Sequence, residues 1–141
     1  MRNFLFVCAL MVAMTASAQK DLLGEWHTVD DKTGEQRSIV TLYRGADGLY
    51  YGKIKQLLVG KRDAKCIECT GEDHNAPVEG MVIIRGMSYN TKDNQLEGGR
   101  VLDPESGKFY YGKIYTKNGH LVLRGSLDKR GFIGRNQTWV R

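Results

Sequence analysis

Proline is nearly absent from this chain of 141 residues, with two copies, and cysteine and tryptophan are sparse, with three and two. With so little proline and 41% hydrophobic residues, the composition excludes a disordered tail, which would hold fewer apolar residues. After residue 18 no run approaches the roughly 20 apolar residues that a membrane-crossing helix requires. No window keeps a helical hydrophobic period for three turns. Charge of one sign is only mildly in excess, with 21 Lys and Arg against 16 Asp and Glu, a net +5. Acidic residues are scattered among the basic ones, so the pattern argues against a nucleic-acid partner. The nucleophile elbow Gly-x-Ser-x-Gly does not occur around Ser17, Ser38, Ser88, Ser106 or Ser126. His27, His74 and His120 have no spacing that sets two ligands on one strand face. No catalytic constellation is visible, and the expectation is a protein that is not an enzyme and holds no metal or cofactor.

What is present begins with a leader. Arg2 precedes the uncharged run Phe4 to Met14, and Ala16-Ser17-Ala18 supplies the small residues of a signal-peptidase site. Residues 1–18 are therefore expected to be a cleaved signal peptide, leaving 19–141 as one domain in the periplasm or outside the cell. Cleavage removes Cys8 and leaves Cys66 and Cys69, spaced as Cys-Ile-Glu-Cys. In an oxidising compartment this pair favours a small structural disulfide. A redox pair and a metal site shared with His74 are the alternatives, but a zinc site would need a further ligand.

The rest of the chain alternates apolar and polar residues in short stretches separated by turn signals, the pattern of β-strands. The predicted strands are Leu22–Val29, Arg37–Arg44, Leu49–Leu58, Met81–Ser88, Gln95–Leu102, Phe109–Thr116, His120–Leu127 and Phe132–Val140. Asp47-Gly48, Asp103-Pro104 and Asn118-Gly119 mark turns between them. The segment Gly60 to Glu79 is the one long irregular connection, and it carries the Cys pair. Eight antiparallel strands joined by tight turns close naturally into an up-and-down barrel, because closure leaves no open edge. Tyr50-Tyr51-Gly52-Lys53-Ile54 recurs as Tyr110-Tyr111-Gly112-Lys113-Ile114. Two strands solving the same bending or close-approach problem explain the echo better than two equivalent patches lining one pocket.

Gly24-Glu25-Trp26 near the first strand and an Arg near the last resemble the calycins, the group of lipocalins, fatty-acid-binding proteins and avidins. That resemblance implies that Trp26 belongs to a plug at one end of the barrel, under Arg135 or Arg141. A narrower likeness covers the whole mature chain. Gly-x-Trp, Tyr-Gly-Lys-Ile, the Cys-x-x-Cys loop, Gly99-Arg100-Val101-Leu102-Asp103-Pro104, Gly107-Lys108-x-Tyr110 and the ending Gly-Arg-x-Gln-x-Trp-x-Arg occur in that order. They resemble the secreted bacterial family called domain of unknown function 2147. The resemblance implies a small lipocalin-like barrel exported by a Gram-negative bacterium, and no reaction.

The expected role is binding of a small, partly apolar molecule in the barrel mouth. Tyr51 and Tyr111 are the candidate wall residues. Arg85, Arg100 and Arg124 each fall within a predicted strand, and Arg124 is the candidate to hold a polar head group. The alternative is a packed barrel that acts through its outer surface as an interaction module, with self-association as one form. A membrane-embedded barrel is disfavoured, because Lys53, Lys55, Lys113 and Arg124 interrupt the apolar band it would need.

Overall fold

A computed structural model describes residues 21–141; the expected leader, with Cys8, lies outside them. Nine strands make one antiparallel sheet: β1 (Gly24–Val29), β2 (Gln36–Arg44), β3 (Tyr50–Leu57), β4 (Val82–Asn90), β5 (Gln95–Glu97), β6 (Arg100–Leu102), β7 (Phe109–Lys117), β8 (His120–Ser126) and β9 (Gly134–Trp139). Strands that follow one another in sequence pair in space, except that short β5 and β6 share the place between β4 and β7. Among the described residues no helix is long and apolar enough to cross a membrane.

The count of nine corrects the eight read from the sequence. The fifth predicted strand, Gln95–Leu102, breaks at Gly98-Gly99. Gly98 takes a φ of +81°, and the backbone of Gly99 lies so close to Arg85 and Gly86 of β4 that no Cβ would fit. β5 pairs with Ser88 to Asn90 and β6 with Ile84 and Arg85, so the ladder skips Gly86 and Met87. At the far end, the predicted strand Phe132–Val140 starts only at Gly134, which leaves Phe132 and Ile133 in the preceding turn.

Period-two alternation sends one face of each strand to the core. Val40 and Leu42 of β2, Tyr50 and Ile54 of β3, Ile114 of β7, and Leu121 and Leu123 of β8 are buried. Lys53 and Lys55 on β3 alternate with them and are exposed. The two ends of the sheet meet. The His27 N–H donates to the Val140 carbonyl at 2.6 Å, and the Val140 N–H donates back to the His27 carbonyl at 3.0 Å.

The core is tightly packed at both copies of the sequence echo. A Cβ on Gly52 would stand 2.8 Å from Cδ1 of Ile84, and one on Gly112 would stand 2.7 Å from Cγ2 of Val101 and against Cε of Met87. The glycines of the two Tyr-Tyr-Gly-Lys-Ile copies thus make room for core side chains of β4 and β6. Close approach is the physical reason for the sequence echo.

Candidate functional site

Each end of the sheet has its own closure. At the end holding the β7–β8 hairpin, Trp26 is fully buried and its indole N–H donates to the Leu22 carbonyl at 2.9 Å. The guanidinium of Arg141 lies 4.0 Å from the Trp26 ring centroid and donates from Nη2 to the carbonyls of Asp21 and Leu23 at 2.7 and 2.8 Å. Of the two arginines the motif offered, Arg141 covers the indole. Arg135 is exposed on β9 opposite Gly125.

The opposite end is covered by the long connection between β3 and β4. Cys66 and Cys69 form a disulfide with a Cα–Cα distance of 5.3 Å, and both are buried in the main core. The carbonyl of Glu68 rests against Gly107 in the β6–β7 turn, which ties the loop to the sheet. Arg85 anchors the same loop through two hydrogen bonds to the Asp73 carboxylate, at 3.2 and 3.0 Å. Glu79 accepts from Arg62 and from the Leu57 N–H, and these bonds hold its carboxyl below the usual glutamate range. A shallow open hollow along this loop is lined by Glu72, Asp73, Glu79 and Arg85, and three of those four charges are already engaged.

The structure separates the candidate ligand residues. Tyr51 points away from the core, stacks on Tyr43 with centroids 5.9 Å apart, and donates its hydroxyl to Asp47. That bond lowers the Asp47 carboxyl and raises the Tyr51 hydroxyl. The buried member of its pair is Tyr50, at the neighbouring position. Arg124 stands on the opposite face from the buried Leu121 and Leu123. It donates to the Gly131 carbonyl at 2.6 Å, the Asn136 side-chain oxygen at 3.1 Å and the Phe132 carbonyl at 3.3 Å. It pins the β8–β9 turn, so placing it inside the barrel as a head-group ligand is corrected: alternation about Leu123 turns it outward. Tyr111, on β7, is the one of the three that lines a recess.

That recess, of about 450 Å³, opens between Arg100, Phe109, Tyr110, Tyr111 and Leu127. Strand register assembles it. Arg100 of β6 faces Tyr111 of β7 across the ladder, and Leu102 faces Phe109. The Arg100 guanidinium sits 4.4 Å from the Phe109 centroid, and that of Arg85 lies 5.3 Å from the same ring. Arg85 and Arg124 have hydrogen-bonded partners, whereas the Arg100 side chain forms no hydrogen bond or ion pair among the described residues. Sequence reasoning named Arg100 as one of three strand arginines but missed its setting. Phe109 was passed over, and Tyr110 was weighed only as part of the sequence echo, because recess lining depends on the β6–β7 register. Among the described residues no three His, Cys, Asp or Glu side chains gather as a metal site.

The chain is thus an all-β protein, an antiparallel sheet of nine strands with Arg141 covering Trp26 at one end. The structure of protein HP1028 from the human pathogen Helicobacter pylori, described as belonging to the lipocalin family, is similar to it with a TM-score of 0.73. The two are 24% identical, over 85% of this chain and 82% of that one, a likeness of fold. No curated protein matches the chain. The chain belongs to the family described as an uncharacterized protein conserved in bacteria (DUF2147), whose model matches residues 24–141.

Proposed function

We propose that this protein is an exported, non-catalytic binding protein that takes a small, partly apolar anion in the recess around Arg100. The observation that carries the reading is a guanidinium with no hydrogen bond or ion pair among the described residues, set on the Phe109 ring in an open hollow that Tyr110, Tyr111 and Leu127 also line. A planar fork with two free edges matches a carboxylate, and the rings supply apolar area for the remainder of the molecule. Close packing of Ile84, Met87 and Val101 against Gly52 and Gly112 supports this outer site over a central one. The sheet is read as a closed barrel of lipocalin type, supported by the paired hydrogen bonds of His27 and Val140. Export is supported by the Cys66–Cys69 disulfide, since such bonds persist in oxidising compartments.

The test is a melting-temperature screen of residues 19–141 against aryl and alkyl carboxylates, followed by calorimetry on any hit. A hit raises the melting temperature by several degrees at saturation. Arg100→Gln and Tyr111→Ala each weaken binding of that hit by about tenfold or more, while Tyr51→Ala leaves it unchanged. A hit whose affinity is untouched by Arg100→Gln, or a screen with no hit, overturns the reading.

A further inference from the structure

The β8–β9 turn exposes more apolar surface than any ordinary turn should. Leu127, Phe132 and Ile133 are 68%, 76% and 64% exposed. Isolated exposed apolar residues are unremarkable, but three on one short turn call for an explanation.

The turn is held in this state by its own bonds. The Asp128 carboxylate accepts from the Ile133 N–H at 2.9 Å and the Phe132 N–H at 3.1 Å. The Leu127 N–H donates to the Ile133 carbonyl at 2.9 Å. Arg124 donates to the carbonyls of Gly131 and Phe132, and Lys113 donates to that of Arg130 at 3.0 Å. The backbone that presents Phe132 and Ile133 is fixed from both sides, and these side chains face solvent by construction.

Charge selects the partner. Lys129 and Arg130 in the turn and Arg135 just beyond it are exposed, and their side chains form no hydrogen bond or ion pair among the described residues. The one carboxylate within the turn, Asp128, is folded back onto backbone N–H groups. An apolar tip ringed by free cations matches an anionic bilayer, with the cations at the phosphates and the ring and aliphatic groups at the acyl boundary. Three tip residues offer far less than the roughly 1,000 Å² that a specific protein interface requires. Ile67, 69% exposed on the disulfide loop, lies at the same end, since its neighbour Glu68 touches the β6–β7 turn.

The geometry points to a membrane-docking tip: the 127–133 turn inserts Phe132, Ile133 and Leu127 into the surface of an anionic phospholipid bilayer, held by Lys129, Arg130 and Arg135. Leu127 also lines the Arg100 recess, so the test rests on Phe132 and Ile133, which do not. The experiment is co-sedimentation of residues 19–141 with vesicles of phosphatidylcholine, alone or mixed equally with phosphatidylglycerol. The protein sediments with the anionic vesicles and not the neutral ones. Phe132→Ser with Ile133→Ser, and separately Lys129→Glu with Arg130→Glu, lower partitioning by about tenfold or more. Because all four side chains are exposed, both double variants keep the parent's melting temperature to within a few degrees. In Phe132→Trp the added indole emission shifts to the blue on anionic vesicles. Failure to sediment with anionic vesicles, full retention by the Phe132→Ser, Ile133→Ser variant, or an unshifted indole overturns the proposal. So does a concentration-dependent dimer abolished by Phe132→Ser, which would assign the tip to a second copy of the chain.

Discussion

Arg141 and Arg135 show how little a motif says about a single side chain. Both belong to the same Gly-Arg-x-Gln-x-Trp-x-Arg string, yet one covers an indole and bonds two carbonyls while the other stands in solvent. Arg141→Ala removes a cation–π contact and charge-assisted hydrogen bonds, a loss of about 1–3 kcal/mol. Arg135→Ala changes stability by less than about 0.5 kcal/mol. Urea titrations of the two variants check the contrast, and equal midpoints would refute the closure assigned to Arg141. The tyrosine pairs carry the same lesson. Nothing in Tyr50-Tyr51 says which ring enters the core; the β2–β3 register places Tyr50 inward and leaves Tyr51 on Tyr43. Faces hinge on a register that one residue's slip inverts.

Strands were easier to read than the faces they present. Alternation and turn chemistry located the strand boundaries to within about two residues, because both signals are local. The break at Gly98-Gly99 escaped because it answers to β4, a partner brought in by folding. The β8–β9 turn escaped for a similar reason: Phe132 and Ile133 look like strand residues until Asp128 takes their N–H groups. Those two bonds, that of Ile133 foremost, hold the Asp128 carboxyl below the ordinary aspartate range. A carboxyl lowered in the folded state stabilises fully above its unfolded value, and the contribution disappears as pH falls through the folded one. Asp128→Asn should therefore melt below the parent at pH 7, and the gap should narrow as pH falls below about 4. Melting curves across that range check it, and a gap that widens toward acid would contradict it.

At the scale of the whole sheet, close packing at Gly52 and Gly112 opposes a hollow core. Gly112→Ala forces a methyl group into Met87 and Val101 and should cost about 1–3 kcal/mol by overpacking. Gly125→Ala meets only Tyr110, at 3.8 Å, and should be nearly neutral. Urea midpoints distinguish them; a harmless Gly112→Ala would mean the core has room to spare. The general architecture was legible because patterning sets fold class, whereas the contents of the interior were not. Whether the nine strands enclose space or side chains turns on which residues meet between them, here Ile84, Met87 and Val101 against two glycines.

The Arg141 closure has a consequence for how the chain is made. Its guanidinium reaches carbonyls 118 and 120 positions earlier. During synthesis, then, Trp26 waits uncovered until Arg141 has been translated. Contacts so distant in sequence form slowly. A product that stops short of Val140 keeps an unpaired edge on β1, an invitation to proteases and to neighbouring strands. Val140 and Arg141 thereby act as a latch on the β1 region.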